Sequence, residues 1–343
     1  MAANNSNNES GSAKLHGQDW VITRRSFLRA SAGTLGGLAL APLSCAPQLI
    51  CCTRRPTAKF GIVTDTHYAD ADTIGTRFYR HSLGKLAECV ELMNAKKVDF
   101  LIELGDFKDQ NSPPLEYRTI SHLMTVEKVF QRFKGPTYHV LGNHDMDSIS
   151  KSQFLADIEN TNIDSGCSYY SFDLKGLHFV VFDANYTSDG SNYNHGNFDW
   201  ADANIPPDEL DWLKHDLAAA RGPVIAFVHQ PLDGTGSYHV RNAADVRHVL
   251  QESGKVLAVF QGHYHEGACS LIEGIHYYTL KAMVEGPGPE NSSYAIVEVL
   301  PDCTVTVTGY RKAVTKQLAP AAATKKCKEQ KQKLKIVESG QGG

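Results

Sequence analysis

Five short apolar runs, each ending in Asp, His or Asn, constrain this chain more than any other feature. Lys59-Phe-Gly-Ile-Val-Thr-Asp65 reads as a buried strand that stops at Asp65, and the run from Asp99 stops at Gly105-Asp106. Pro136–Leu141 leads into Gly142-Asn143-His144-Asp145, Val224–Val228 into His229, and Val256–Phe260 into Gln261-Gly262-His263-Tyr264-His265. Apolar runs this short, bounded by polar punctuation, are strands covered on both faces. Helical stripes lie between them: Leu83, Leu86, Ala87, Val90 and Met93, then Ile120, Leu123, Met124, Glu127 and Phe130. A third stripe, Leu210, Leu213 and Leu217, is opened by Pro206-Pro207-Asp208-Glu209, a good helix start. Ile275–Leu280, Ser293–Leu300 and Thr304–Tyr310 then read as a β-meander. The pattern predicts an α/β (α+β) chain in which two packed sheets are flanked by helices. Polar groups at strand ends in such a sheet gather in one crevice.

Composition and charge narrow the class. The 343 residues are 42% hydrophobic and 21% charged, which excludes disordered, collagen-like and coiled-coil chains. Mean hydropathy is −0.31 and no apolar run reaches the ~18–20 residues that span a bilayer, so this is not a polytopic membrane protein. Eight Cys are too sparse for a disulfide scaffold, and Cys269 reads as a small buried side chain. Residues 1–46 carry +2 and residues 312–343 carry +6, so the body between them holds about −12 of the −4 total. An acidic body argues against a stable nucleic-acid partner. The Lys-rich segment 312–343 reads as a solvated, disordered tail.

Thr23-Arg24-Arg25-Ser26-Phe27-Leu28-Arg29 precedes the weakly apolar run Ala30–Leu43, within an N-terminal extension of residues 1–53. Gly33, Gly36 and Gly37 argue against an ordinary amphipathic helix there. Paired Arg before Phe-Leu and a Gly/Ala/Leu stretch resembles a twin-arginine signal peptide. It implies a twin-arginine translocase as partner and a periplasmic or cell-surface location. Ala39-Leu40-Ala41 fits a small-x-small cleavage site and Leu43-Ser44-Cys45 resembles part of a lipoprotein box that would put a lipid anchor at Cys45, with Pro42 against both.

The strand ends supply the chemistry. Asp65 and His67, Asp106, Asn143 and His144, His229, and His263 and His265 offer imidazoles and carboxylates but no Cys. Such a set suits Mn²⁺, Fe or Zn²⁺ rather than Ca²⁺, and not a closed structural zinc site. In extended chain, residues i and i+2 face one side, so Asp65 with His67, and His263 with His265, can each face one cavity.

In this order the motifs Asp65-x-His67, Gly105-Asp106, Gly142-Asn143-His144-Asp145, His229 and Gly262-His263-x-His265 resemble the calcineurin-like metallophosphoesterase superfamily. The likeness covers residues 54–311 as one catalytic domain and implies a four-layer αββα fold with two divalent ions. It implies that one ion is held by Asp65, His67, Asp106 and His265. The second would take Asp106, Asn143, His229 and His263, with Asp106 bridging. His144 would be the catalytic histidine, and Asp145 is expected to orient it. Two divalent ions ~3.5–4 Å apart lower the pKa of a shared water and clamp an in-line displacement at phosphorus. The neutral Asn143 amide keeps such a centre positive toward phosphate.

The purple acid phosphatase branch would show Gly in the first motif and Tyr three residues after Asp106. Here those positions hold His67 and Asp109. Gly75–Leu83, Leu210-x-Trp212-Leu213 and Val284-Glu285-Gly286 resemble the manganese-dependent ADP-ribose/CDP-alcohol diphosphatases, although that family commonly has Gln in place of His67. The likeness implies a manganese-loaded hydrolase of phosphodiester or diphosphate bonds acting on a small phosphorylated substrate, and the N-terminal signal makes it an exported one. Arg77, Tyr79 and Arg80 are candidate substrate contacts, since a guanidinium grips phosphate with a planar fork. The aromatic loop Asn185–Trp200 is expected near the site mouth, either stacking a base or packed on itself. The alternatives are a broad phosphomonoesterase and a non-catalytic metal-binding module.

Overall fold

The computed structural model describes residues 57–320. The N-terminal signal, Cys45 and residues 321–343 lie outside them. In chain order come β1 (Ala58–Val63), α1 (Ser82–Lys96), β2 (Leu101–Glu103), α2 (Glu116–Phe130), β3 (Thr137–His139) and α3 (Lys151–Ala156). A second half follows with β4 (Tyr170–Leu174), β5 (Leu177–Val181), α4 (Pro207–Ala219), β6 (Val224–Phe227), α5 (Ala243–Ser253) and β7 (Val256–Gln261). It is completed by β8 (Ala268–Ile272), β9 (Ile275–Thr279), β10 (Ser293–Val299), β11 (Val305–Arg311) and β12 (Lys316–Leu318). One sheet has the order β12-β11-β10-β1-β2-β3 and the other β4-β5-β6-β7-β9-β8. Both are mixed: β1, β2 and β3 run parallel, as do β5, β6, β7 and β9, while their outer partners are antiparallel.

Strand alternation builds the layers. Phe60 and Ile62 of β1 face the second sheet, where Phe60 meets Phe179, Phe227 and Phe260 edge-on at 5.6–6.0 Å. Each ring buried this way contributes about 1.5–3 kcal/mol. Gly61 points the other way, and a Cβ there would press on Met93 Sδ at 2.6 Å, so glycine lets α1 settle on the sheet. Leu86, Val90 and Met93 of α1 and Leu123, Val126 and Phe130 of α2 form that outer core. Leu213 and Leu217 of α4 and Val246 and Leu250 of α5 cover the second sheet. The result is the expected four layers, helix, sheet, sheet and helix.

Four details differ from the sequence reading. Met124 is 57% exposed, because it lies one residue, about 100° of helix, from the inward Leu123. Cys269 is exposed on β8, an edge strand, rather than buried. The first sheet continues into the segment expected to be a tail, since β12 pairs with Val305–Val307 and buries Leu318. The β4–β5 hairpin has no turn signal in the sequence: its turn uses Lys175 and Gly176, both at positive φ, in place of Asn-Gly or Asp-Gly. Among the described residues no helix is long and apolar enough to cross a membrane.

Candidate metal centre

The five polar strand ends leave the C-terminal ends of β1, β2, β3, β6 and β7. Backbone bonds lock their loops together: Asp65 N donates to Gly105 O (3.0 Å), His67 N to Asp106 O (2.8 Å) and Gly262 N to His229 O (3.0 Å). Asp65, His67, Asp106 and His263 have φ of 51°, 45°, 57° and 66°. The left-handed region costs a non-glycine residue of order 1–3 kcal/mol and is tolerated where surroundings over-determine it. The loops are therefore not extended, and the i, i+2 reading fails for one pair: His263 and His265 serve different clusters. At Gly142 a Cβ would overlap the Asp106 backbone nitrogen, so only glycine lets the β2 and β3 loops close up.

Ligand atoms of Asp65, His67 and His265 lie within 4.8 Å of one another, and so do those of Asp106, His229 and His263. Asp106 stands between the clusters, its Oδ2 3.4 Å from His67 Nε2 and 3.1 Å from His229 Nε2. Its Oδ1 accepts the His144 backbone N–H at 2.7 Å. Among the described residues, Asp65 Oδ1, Asn143 Oδ1 and the Nε2 atoms of His67, His229 and His263 are buried without a hydrogen-bond partner. Buried polar atoms are seldom left so, and these come from residues that point at one place. This is a donor set that fits divalent cations.

The opposite edges of the rings are anchored. His67 Nδ1 lies 3.1 Å from Asp109 Oδ2, His229 Nδ1 2.8 Å from Leu104 O and His265 Nδ1 2.6 Å from Glu285 Oε1. Each acceptor holds an Nδ1–H and leaves Nε2 as the ring atom facing inward, where a cation would displace any proton it carries. Thr64 Oγ1 and His263 N donate to Asp65 Oδ2, which turns Oδ1 toward the cluster.

Charges at the centre are strongly coupled. Burial opposes charge on Asp65, but the imidazoles of His265 and His67, 3.4 and 3.7 Å from its Oδ1, hold it well below the carboxylate range. Burial likewise opposes charge on His229 and His265; Asp106 lifts the first, and Asp65 with Glu285 the second, each to about 9. His263, buried beside the His229 cation, is pushed down to about 3.

His144 is half-buried at the mouth. Its Nδ1 is 3.6 Å from Asp109 Oδ2 and 3.7 Å from Asp147 Oδ2, and its ring centre is 4.7 Å from that of His67. Burial would lower the imidazole, but Asp109 and Asp106 hold it well above its usual range. Asp145 does not orient it. The Asp145 carboxylate is fully buried and accepts backbone N–H groups of Gly142, Phe107 and Asp106 at 2.8–3.1 Å. It is a brace for the Asp106 loop, because the turn at Asn143–Met146 carries it inward while His144 points out.

The substrate candidates separate. Arg77 Nη1 lies 3.9 Å from Asp109 Oδ2, with a third of its side chain exposed beside the first cluster. Tyr79 is buried against Ala69, Ala282 and Val284. Arg80 is paired with Asp70 and Asp72 on the surface, which commits its guanidinium elsewhere. In the Asn185–Trp200 loop, Tyr193 stacks on Phe198 inside the fold, whereas Trp200 stays 42% exposed. The Trp200 ring is 5.8 Å from His263 and 5.2 Å from Tyr238, which is itself 5.6 Å from His263 and 5.4 Å from Tyr264. Asp109, Asp147, Glu285, Tyr238 and Tyr264 escaped the sequence reading as site residues. Glu285 and Tyr264 carried a signal, the first as part of Val284-Glu285-Gly286 and the second inside Gly262-His263-Tyr264-His265.

Residues 58–267 match the family model described as calcineurin-like phosphoesterase. The chain belongs to that family. This phosphoesterase is 29% identical over 310 residues to a manganese-dependent ADP-ribose/CDP-alcohol diphosphatase of Oryza sativa, covering 77% of this chain and 94% of that protein. It is 26% identical over 220 residues to a probable cyclic nucleotide phosphodiesterase of Fibrobacter succinogenes, covering 62% and 75%. A dimetal phosphatase from Danio rerio has the same fold, with TM-score 0.66 at 20% identity over 78% of this chain and 100% of that one. The chain is accordingly a metal-dependent phosphoric ester or diphosphate hydrolase.

Proposed function

We propose that this phosphoesterase cleaves the diphosphate or phosphodiester bond of a nucleotide derivative such as ADP-ribose or a CDP-alcohol. The observation that carries this reading is the flanking of the two ligand clusters. Arg77 stands beside Asp109 and the first cluster, and the exposed rings of Trp200 and Tyr238 stand over His263 of the second. A diphosphate lying across both clusters would meet a guanidinium at one end and place a planar base on aromatic rings at the other. The names of the rice and Fibrobacter relatives agree with a nucleotide substrate.

Asp65, His67, Asp106 and His265 would hold one divalent ion, and Asp106, Asn143, His229 and His263 the second. Manganese is favoured by the donor set and by the relatives' names. When bound, such ions supply Lewis acidity and an activated water. His144, held protonated by Asp109 and Asp106, delivers a proton to the leaving oxygen. Asp109 fixes His67 and faces His144, so it keeps metal ligation and acid catalysis in register.

The test is turnover of ADP-ribose, CDP-choline, bis-p-nitrophenyl phosphate and p-nitrophenyl phosphate by the full chain with Mn²⁺, with His144→Ala as control. Preference for the diphosphates, lost in the variant, supports the reading. Preference for p-nitrophenyl phosphate would make the protein a phosphomonoesterase. We also read residues 1–53 as a twin-arginine export signal directing the enzyme to the periplasm or cell surface. Replacing Arg24 and Arg25 by Lys should retain the chain in the cytoplasm; unchanged export would refute it.

A further inference from the structure

We propose that Lys85, on α1 and away from the strand ends, is a positioning residue for the ion of the Asp65–His67–His265 cluster. The inference rests on the two-ion reading above. Residues 282–286 form a strap behind that cluster. Ala282 N donates to His265 O (3.1 Å), Met283 N to Thr64 O (3.1 Å) and Val284 N to Asp65 O (3.0 Å). The next residue, Glu285, receives the His265 Nδ1–H. One strap thus supports two of the three ligands, one of them through a side chain.

The carbonyls of this strap converge on one ammonium. Lys85 Nζ donates to Met283 O (2.7 Å), Glu285 O (3.0 Å) and Gly286 O (2.7 Å), and Lys85 is 1% exposed. An ammonium has three N–H donors, and all three are used here. A buried cation is costly, and an apolar side chain of this length would pack without that cost. What it could not do is fix three carbonyls of an irregular segment, and with them the Glu285 side chain. With a slack strap, Glu285 no longer holds the His265 ring, and Nε2 loses its aim. The second cluster is supported differently, since His229 rests on Leu104 O. Loss of Lys85 therefore weakens one ion and spares the other, which general loosening of the fold would not do.

The test is a Mn²⁺ titration of the metal-free full chain, read by electron paramagnetic resonance, which separates a coupled Mn pair from isolated ions. Thermal melts run alongside. Wild type should bind two coupled ions per chain. Lys85→Met should keep one ion at wild-type affinity and bind the other about 10–100-fold more weakly, the usual effect of losing support behind a ligand. Glu285→Ala, which removes the acceptor, should reproduce this pattern, and Lys85→Arg, which restores charge and donors, should recover part of it. If Lys85→Met does not fold, Lys85→Gln is read in the same way. Two ions at wild-type affinity, or two ions weakened equally, would overturn the proposal. A wild type that binds no coupled pair would instead sink the two-ion reading.

Discussion

Asp145 separates a structural from a catalytic role for a residue adjacent to His144. Its carboxylate accepts three well-formed backbone bonds, from Gly142 (2.8 Å), Phe107 (2.9 Å) and Asp106 (3.1 Å). Asp145→Ala leaves those donors buried and unpaired. At about 1–3 kcal/mol per orphaned donor, with some relaxation, the loss is on the order of 3–6 kcal/mol. That lowers Tm by roughly 10 °C or more in a domain of this size. Asp145→Asn preserves volume but turns an NH₂ toward backbone N–H groups, so it should destabilise as well. Because Asp106 sits between the clusters, both ions should bind more weakly. Burial and the Asp106 carboxylate push Asp145 up from 3.8 to about 6. The native state therefore binds more protons than the unfolded chain in that window, and the metal-free protein loses stability as pH rises through it. The Asn variant should lack that slope. Thermal melts, Mn²⁺ titration and pH–rate profiles are the assays. A variant with wild-type Tm and metal affinity but a lower kcat and shifted pH profile would refute the brace and restore the orienting role.

Three further outcomes are expected. His144→Ala should lower kcat by about 10²–10⁴-fold, the usual share of a general acid, with Tm and bound manganese unchanged; a loss of metal would place it among the ligands. His229 and His265 lie at about 9 in the metal-free protein and are protonated at neutral pH, yet only neutral imidazole binds a cation. Mn²⁺ affinity should therefore climb from pH 6 to 9 with proton release, measured by calorimetry in buffers of different ionisation enthalpy; pH-independent binding would contradict this. Arg77→Ala should raise KM for a diphosphate substrate about tenfold or more, the worth of a charge-assisted contact, while Arg80→Ala, already paired with Asp70 and Asp72, should leave KM unchanged.

The main strands and the layering follow from features legible locally. Phe60 and Ile62 alternate with Gly61 along β1, and each apolar run stops at a polar donor. Strands that are short or lie at an edge, and the β4–β5 hairpin, were less legible. β12 has three residues, and β8 exposes most of its side chains, so neither shows a covered-strand pattern.

By itself the sequence determined the ligand types, their order along the chain and their place at strand ends. These are properties of single segments: what a side chain can donate, and where an apolar run stops. The tertiary structure set the ligands in the two groups that the family resemblance implied, His263 with Asp106 and His229 and His265 with Asp65 and His67, against the i, i+2 spacing that would have kept His263 with His265. It also sent Asp145 inward to the Asp106 loop, turned Arg80 to its acidic partners, and set Glu285 behind His265 and Lys85 behind Glu285. Each of these is a contact between side chains or backbones brought together by the fold, up to 201 residues apart in the case of Lys85 and Gly286. Propensity and periodicity act over a turn or a strand, so they carry no signal at that range; hydrogen-bond geometry in the packed structure does.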